Sequence, residues 1–321
     1  MGLFVPTSLP IAHTCVNTNM ALAIYKKLAS EFEQVIFICE VHFIKKLLED
    51  GLEAGINWKK ANINIITGGD WIPESLRSYY SHILDTEWEK PQRTITACTM
   101  GLTELEVNLF HESIPLIKIR REAEKNKGLC YDIFGDVKVV PELLHYYPHR
   151  LFLETISEDN GPPQCVFTLL NRKRLVPMIR YNSKDVGEII PYNKLKQALE
   201  KHKRLDLLPE LKLPLAAIRG RSKSGVFIGD KNITQEEARS TLYKDFELAS
   251  KITGQFLMKA EENYLIIEIQ LKEKESPSPK LQRKFEDLFS ILHPTRVRLI
   301  PFYEFKSALI LNYERKFKHT L

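Results

Sequence analysis

The sequence predicts an α/β protein built from a larger layered unit and a smaller α+β unit. In the first half, segments with helical spacing of apolar residues alternate with short, continuous apolar runs. This βαβ rhythm is typical of a parallel or mixed sheet covered by helices. After Leu213–Lys223 the pattern changes to a compact α+β order. We therefore place a domain boundary at Arg221, with residues 1–221 in the larger unit and 222–321 in the smaller one.

Each unit shows its elements in a clear order. In the larger unit, helices are predicted at 18–31, at Val41–Gly51 with Gly51 as C-terminal cap, and from Pro73 onward, with strands at Val35–Cys39, Asn62–Ile66 and Arg93–Ala97. In the smaller unit, strands are predicted at Gly225–Ile228, Tyr264–Leu271 and Arg296–Pro301, with helices at about 234–248 and 279–292.

Composition sets the broad class. The 321 residues are 44% hydrophobic and 27% charged, as in an ordinary globular protein. The net charge of +5 is small, and no basic patch is interleaved with aromatic residues, so no nucleic-acid partner is expected. Five scattered cysteines predict a reducing compartment. No apolar run approaches the ~20 residues of a membrane helix, and Met1–Pro6 matches neither a signal peptide nor a myristoylation site. We expect a cytoplasmic protein without a membrane partner.

Two predicted strands end in motifs that could meet a ligand, Gly68-Gly69-Asp70 and Gly101-Leu-Thr-Glu104. Ligands of such sheets lie beyond the carboxyl ends of the strands. Gly101 would let a ligand approach the backbone, and Thr103 offers a hydroxyl. Glu104 offers a hard oxygen that suits Mg²⁺. The ordinary alternatives are βα turns in which a threonine caps a helix.

The stretch 166–189 is the most informative. An apolar strand, Cys165–Leu170, leads through a basic loop into a second predicted strand around Met178–Tyr181, which ends on Asp185 and Gly187. A carboxylate just past a strand end, followed by a turn glycine, can present an acceptor to a pair of ligand hydroxyls. The alternative is a hairpin in which Asp185 caps a turn.

Taken in this order and spacing, the motifs resemble the adenylate-forming (AMP-forming acyl/aryl-CoA ligase) superfamily, and within it the phenylacetate-CoA ligase-like and CapK-like branch. The family's strand ending in Gly-Gly-Glu or Gly-Ala-Glu is similar to Gly68-Gly69-Asp70, and its Tyr-Gly-Leu-Thr/Ser-Glu to Met100–Glu104. Its Phe-Thr, Pro-Leu-Ile-Arg-Tyr and Thr-Gly-Asp run is similar to Phe167-Thr168, Pro177–Tyr181 and Ser183–Asp185. Its hinge is similar to Gly220-Arg221-Ser222-Lys223.

The resemblance implies the later part of a ligase large domain, with a layered βαβ sheet and a β-rich subdomain, followed by a small α+β lid domain. It also implies a reaction in which a small-molecule carboxylate and ATP give acyl-AMP and pyrophosphate. The acyl group then passes to CoA or another thiol. The branch suggests an aromatic or otherwise bulky carboxylate. The cofactors implied are ATP/AMP, Mg²⁺ and CoA.

The same resemblance implies a role for each residue. Asp185 would accept hydrogen bonds from both ribose hydroxyls, and Arg221 would contact ribose or phosphate. Thr103 would donate to the α-phosphate and Glu104 would hold Mg²⁺. The nucleotide pocket would include Gly68, Gly69, Asp70, Met100 and Gly101. The small domain would rotate about Ser222 and Lys223. Lys316 or Lys318 would be the catalytic lysine of the C-terminal loop, and a basic surface tail is the alternative.

Three departures bear on activity. Met100 replaces the motif tyrosine, and Lys184 replaces the glycine of Thr-Gly-Asp. The sequence contains no Ser/Thr/Gly-rich phosphate loop ending in Pro-Lys. We expect this loop in a longer form of the chain that starts further upstream, or on a partner chain, unless the protein is a degenerate ligase. The alternative functions are a non-catalytic relative that binds a nucleotide or acyl-adenylate, and one half of a split ligase.

Overall fold

A computed structural model describes residues 10–86, 95–157, 161–171, 176–221 and 225–305. The predicted α/β class is confirmed, because helices and strands alternate through the first half of the chain. The helices in these ranges are α1 (Thr18–Leu28), α2 (Val41–Glu53), α3 (Glu74–Leu84), α4 (Ile114–Lys125), α5 (Lys127–Phe134), α6 (Tyr192–Lys201), α7 (Gln235–Leu242), α8 (Phe246–Ala249) and α9 (Pro279–Phe289). The strands are β1 (Val35–Glu40), β2 (Ile63–Gly68), β3 (Thr96–Leu102), β4 (Glu106–His111), β5 (Glu142–Tyr146), β6 (Leu151–Ile156), β7 (Gln164–Leu169), β8 (Tyr181–Ile190), β9 (Leu215–Arg221), β10 (Val226–Ile228), β11 (Lys231–Ile233), β12 (Ile252–Glu261), β13 (Tyr264–Leu271) and β14 (Thr295–Ile300).

The large unit is organised on one mixed sheet with the strand order β1-β2-β3-β4-β5-β9-β8-β7-β6. Strands β1, β2 and β3 are parallel, as the βαβ rhythm predicts. From β4 onward neighbouring strands are antiparallel. After Arg221 a small hairpin, β10–β11, precedes a separate three-stranded sheet in the order β12-β13-β14. The sheet therefore has a parallel α/β part and a β-rich part, joined at β4.

Local sequence explains where several helices begin. Glu40 caps α2 by accepting hydrogen bonds from the amides of His42 and Phe43. Thr234 and Glu237 form a capping box at α7. We predicted that Gly51 would be the C-terminal cap of α2. This prediction was wrong, because the helix continues to Glu53. A Cβ at Gly51 would collide with the Trp58 ring, so this glycine lets Trp58 pack against the helix.

Three apolar clusters form the core. One lies under helices α4, α5 and α6, and another lies between β4–β5 and the β6–β9 strands. The largest cluster combines α2, α3 and one face of β1–β3 with the sheet and helices that follow Arg221; it includes Leu47 and Tyr80 together with Phe256 and Phe285. The units on either side of Arg221 thus share a continuous core, and the boundary itself stays a prediction.

Candidate functional site

Asp185 lies inside a strand and not after one. Strand β8 begins at Tyr181 and runs through Asp185 and Gly187 to Ile190, so our interpretation of this segment as a strand end was wrong. The pairing register with β9 shifts between Asp185 and Val186, and Lys184 has a positive φ of 63°. This irregularity replaces the turn that the sequence suggested. The carboxylate at position 185 is buried, with 6% of the residue exposed.

The buried Asp185 carboxylate is only half satisfied. Its Oδ1 lies 3.4 Å from Nε of Arg221, which is the pairing partner of Asp185 on β9. Its Oδ2 is buried and has no hydrogen-bond partner among the residues that the structure describes. The Arg221 side chain is 56% exposed. Since buried carboxylate oxygens are normally paired, an orphaned acceptor beside an exposed arginine is the arrangement expected where a ligand donates hydrogen bonds.

Glu104 reaches the same cluster from the turn that joins β3 to β4. Thr103 and Glu104 are exposed in this turn, which is closed by a 2.9 Å hydrogen bond from the amide of Leu105 to the carbonyl of Leu102. Tyr181 interacts electrostatically with the Glu104 carboxylate. Desolvation is the first cause of the raised pKa of Tyr181, followed by Glu104. Arg221 and Asp185 also act on Tyr181, so these four side chains form one polar cluster.

Met100 and Gly101 lie on β3 just before that turn. The register between β3 and β4 shifts between Met100 and Leu102, so Gly101 occupies the irregular position. Met100 pairs with Phe110 and packs against the apolar cluster of the β-rich part. The thioether that replaces the motif tyrosine therefore contacts core residues.

Gly68 ends β2, Gly69 and Asp70 follow it, and Asp70 contacts the unit beyond Arg221. Gly69 has a φ of 87°, which favours glycine. Asp70 Oδ1 accepts from the amide of Trp71 at 2.8 Å, and Oδ2 lies 2.8 Å from Nη1 of Arg239 on α7. The Arg239 side chain is 3% exposed. The Asp70 carboxylate thus holds α7 against the end of β2.

The same helix contacts the end of β9. Gly220 has a φ of 40°, and a Cβ there would collide with the carboxylate of Glu236 in the first turn of α7. Burial raises the pKa of Glu236, and Arg239 and Asp70 are among the charges that act on it. The predicted strand-end motif at β2 and the predicted hinge motif at β9 therefore meet at one helix, although they are far apart in the sequence.

A buried ionic network contacts β3 at Cys98, and sequence reasoning missed its members because no local pattern marks them. Glu112 accepts from the amide of Cys98 at 2.9 Å and from Arg77 and Arg120 at 3.0 and 2.8 Å. Glu142 accepts from the amide of Ile72 at 3.1 Å and lies 3.3 Å from the Cys98 thiol. Burial raises the pKa of Glu142 to about 7, against an opposing effect of Arg120. Burial also raises the pKa of Cys98, which fits a structural thiol.

Four predicted residues cannot be placed. Ser222, Lys223, Lys316 and Lys318 lie outside the described residues. Within the described ranges, His, Cys, Asp and Glu side chains form no group of three that could hold a metal ion. No helix in these ranges is long and apolar enough to cross a membrane.

No protein-family model matches the sequence, and no curated protein matches it. Several solved structures do match in shape. A 2-hydroxyisobutyryl-CoA ligase in the postadenylation state aligns with a TM-score of 0.61 at 13% identity. The anthranilate CoA ligase AuaEII in complex with anthranoyl-AMP aligns at 0.52 and 10%, and McyG A-PCP complexed with phenylalanyl-adenylate at 0.51 and 12%.

The fold is that of the adenylate-forming ligases. The three alignments cover 94%, 90% and 88% of this chain but 57%, 50% and 48% of those chains. The chain therefore spans about half the length of these proteins. At this level of identity the likeness concerns the fold alone, so the phenylacetate-CoA ligase-like branch stays a prediction.

Proposed function

We propose that this chain provides the nucleotide-binding half of an enzyme that activates a carboxylate as an acyl-adenylate. The observation that carries the proposal is the Asp185 carboxylate, which is buried and has one orphaned oxygen beside Arg221. An adenylate-forming ligase fold and the motifs at β2, β3 and β8 support the same assignment.

The proposed reaction has two steps. A carboxylate oxygen attacks the α-phosphorus of ATP, the bond to pyrophosphate breaks, and acyl-AMP forms. A thiol, with CoA as the leading candidate, then attacks the acyl carbon and releases AMP. We propose an aromatic or otherwise bulky carboxylate as the substrate.

In this proposal the cluster positions the nucleotide. Asp185 accepts hydrogen bonds from the ribose hydroxyls through its orphaned oxygen, and such charge-assisted bonds fix the ribose in place. Arg221, with more than half of its side chain exposed, contacts ribose or phosphate. Tyr181, which interacts electrostatically with Glu104, helps to position its carboxylate. Thr103 offers its exposed hydroxyl to the α-phosphate.

Glu104 fits the proposed Mg²⁺ site by its chemistry. It is an exposed carboxylate and a hard oxygen donor. Bound Mg²⁺ would supply positive charge next to the phosphates.

Residues around the β2 end complete the proposed pocket. Gly68, Gly69, Met100 and Gly101 would line the nucleotide through the backbone and the β3 surface. Asp70 would act mainly by holding Arg239, since that ion pair occupies one of its carboxylate oxygens at 2.8 Å. Lys316 or Lys318 would supply the catalytic lysine.

The proposed rotation about Ser222 and Lys223 has a structural requirement. Turning the C-terminal unit away would break the Asp70–Arg239 ion pair and the 2.7 Å hydrogen bond from Lys45 to the carbonyl of Ile252. In each contact at least one of the two partners is buried. The arrangement described here should therefore be more stable than the rotated one.

Nucleotide binding and exchange test the proposal. Isothermal titration with AMP, and with GMP as a control, should show selective AMP binding that Asp185→Ala weakens. Exchange of labelled pyrophosphate into ATP, assayed with a panel of carboxylates, tests activation. If AMP does not bind, the assignment of the cluster is wrong.

A non-catalytic nucleotide-binding protein is the second candidate. The sequence observation in its favour is the lack of a Ser/Thr/Gly-rich loop ending in Pro-Lys. AMP binding without pyrophosphate exchange, also in the presence of a chain that carries such a loop, would favour this candidate over the enzyme.

A further inference from the structure

Two buried side chains at the contact between helix α2 and the C-terminal unit have unsatisfied polar atoms. His42 lies in the first turn of α2 and is 4% exposed, and Tyr243, the residue that follows α7, is fully buried. Among the described residues, neither the two ring nitrogens of His42 nor the hydroxyl of Tyr243 has a hydrogen-bond partner. Buried polar groups are normally paired, and each group left unpaired costs free energy.

The two side chains meet at Gly254 on β12. A Cβ on this glycine would lie 2.4 Å from the Tyr243 hydroxyl oxygen and 3.1 Å from Nδ1 of His42. A water oxygen at the same point would stand too close to the hydroxyl, because O–H···O hydrogen bonds are about 2.5–3.0 Å long. The neighbour that the two groups share is thus the Cα of a glycine, which is no conventional donor or acceptor.

Other buried polar side chains around this contact are paired. The hydroxyl of Tyr80, which is also fully buried, donates to the carbonyl of Val41 at 2.6 Å. The ammonium group of Lys45 donates to the carbonyl of Ile252 at 2.7 Å. The two unsatisfied side chains are therefore exceptions within well-paired surroundings.

Burial also keeps the His42 ring uncharged. It lowers the pKa of His42 to about 3, in the same direction as Arg239 and Lys45 and against Asp70. The neutral ring has one N–H donor and one acceptor nitrogen, and both need a partner. Water supplies these partners when it reaches the ring and the Tyr243 hydroxyl, so separation of the two units removes the cost of leaving them unpaired.

We propose that His42 and Tyr243 form a release element, which destabilises the contact so that the C-terminal unit separates from α2 while both units stay folded. The ion pair between Asp70 and Arg239 holds the contact, and the release element opposes it. The biological use of the separation rests on the proposed function, because that function needs the C-terminal unit to rotate. The separation itself can be measured without nucleotide.

Chemical modification of His42 tests the release element. Diethyl pyrocarbonate reacts with an uncharged imidazole that solvent can reach, and the exposed His149 is the internal reference in peptide mass spectrometry. Tyr243→Phe removes the unpaired hydroxyl without changing the ring. It should therefore stabilise the contact and slow the modification of His42 by about fivefold or more.

Tyr80→Phe is the matched control. It removes a hydroxyl that is equally buried but donates to the carbonyl of Val41, so it should speed the modification of His42. A rate that stays the same or rises in Tyr243→Phe would show that the Tyr243 hydroxyl does not oppose the contact, and it would overturn the proposal.

Thiol labelling separates opening of the contact from global unfolding. Cys165 is fully buried on β7 in the large unit, and the exposed Cys15 is its reference. Each rate is divided by that of its exposed reference, and His42 should then open at least about tenfold more often than Cys165. Equal values would mean that His42 is reached only by unfolding, which also overturns the release element. Slower modification in Tyr243→Phe without any AMP binding would leave the release element standing and refute the proposed function.

Discussion

Asp185 and Arg221 pair across neighbouring strands, with 3.4 Å between Oδ1 and Nε, while Asp185 Oδ2 has no hydrogen-bond partner in the described part of the chain. Asp185→Ala removes the proposed acceptor for the ribose hydroxyls. Hydrogen bonds to a charged group contribute about 1.5–3 kcal/mol, so the Kd for AMP should rise roughly 10- to 100-fold, as measured by titration calorimetry.

Asp230→Ala is the matched control, since Asp230 is exposed in the turn between β10 and β11. It should leave the affinity for AMP unchanged. Equal affinities in the Asp185 variant and the parent protein would refute the ribose contact.

Arg239→Ala breaks the ion pair that attaches α7 to the end of β2. Removing one partner of a buried pair costs 3–5 kcal/mol, and a quarter of the Asp70 side chain is exposed, so we expect a loss of about 3 kcal/mol in the free energy of unfolding. Urea denaturation measures it. Arg298→Ala, at a half-exposed arginine that pairs with Glu261 and Glu268, should cost less than about 1 kcal/mol. Similar losses in the two variants would argue against a buried anchor.

Glu142→Gln should change how stability depends on pH. Burial raises the pKa of Glu142 to about 7, above the ~4.3 of an unfolded chain. The folded state therefore keeps a proton that the unfolded chain has lost between these values. The stabilisation is complete below about pH 4.3 and is lost as the pH rises to 7, by at most about 1.4 kcal/mol per pH unit.

The glutamine variant still accepts from the amide of Ile72 but does not titrate, so it should gain stability relative to the parent as the pH rises from 4.5 to 7. Urea denaturation at several pH values measures this difference. Glu210→Gln, at an exposed position, should show no such trend. A constant difference between the Glu142 variant and its parent would contradict a protonated Glu142.

Gly187→Ala should destabilise the strand that carries Asp185. A Cβ at this position would lie 2.7 Å from the Cys165 sulfur and 2.8 Å from the backbone oxygen of Ala217, so neighbouring strands would have to move apart. Overpacking of this kind costs about 1–3 kcal/mol and should also weaken AMP binding. Gly229→Ala, with a φ of 57° and nothing within 4 Å, carries only a backbone cost of about 1–2 kcal/mol and should leave AMP binding intact. Unchanged AMP binding in the Gly187 variant would show that the site does not depend on this packing.

Apolar periodicity predicted two of the three parallel strands closely, whereas β3, predicted at Arg93–Ala97, lies at Thr96–Leu102. Strand β13 was predicted with the correct bounds, and β1, α2 and β2 within two residues. Strand β12 was missed. Its inward positions are Ile252, Gly254, Phe256 and Met258, and glycine at one of them weakens the alternating apolar signal. Strand β8 was placed too early, since Arg180, with a φ of 51°, interrupts the chain just before Tyr181.

The candidate site was predictable in its residue types but not in its contacts. Motif spacing singled out Asp185, Arg221 and Glu104. The pairing of Asp185 with Arg221 depends on the register of β8 with β9, which no local pattern encodes. The ion pair between Asp70 and Arg239 depends on how the C-terminal unit packs against the large sheet, which is a tertiary property.

The contacts of helix α2 with the C-terminal unit bear on the cooperativity of folding. Lys45 bonds to the carbonyl of Ile252, and Glu49 accepts from Lys272 at 2.8 Å and from the hydroxyl of Tyr79. The helix is thus bonded to β12 and to Lys272, the residue that follows β13. Amide hydrogens of α2 and β13 should then exchange with solvent through one shared opening. A fragment that ends at Arg221 would expose the apolar side of α2 and should aggregate, although the sequence pattern predicts a domain boundary at this residue.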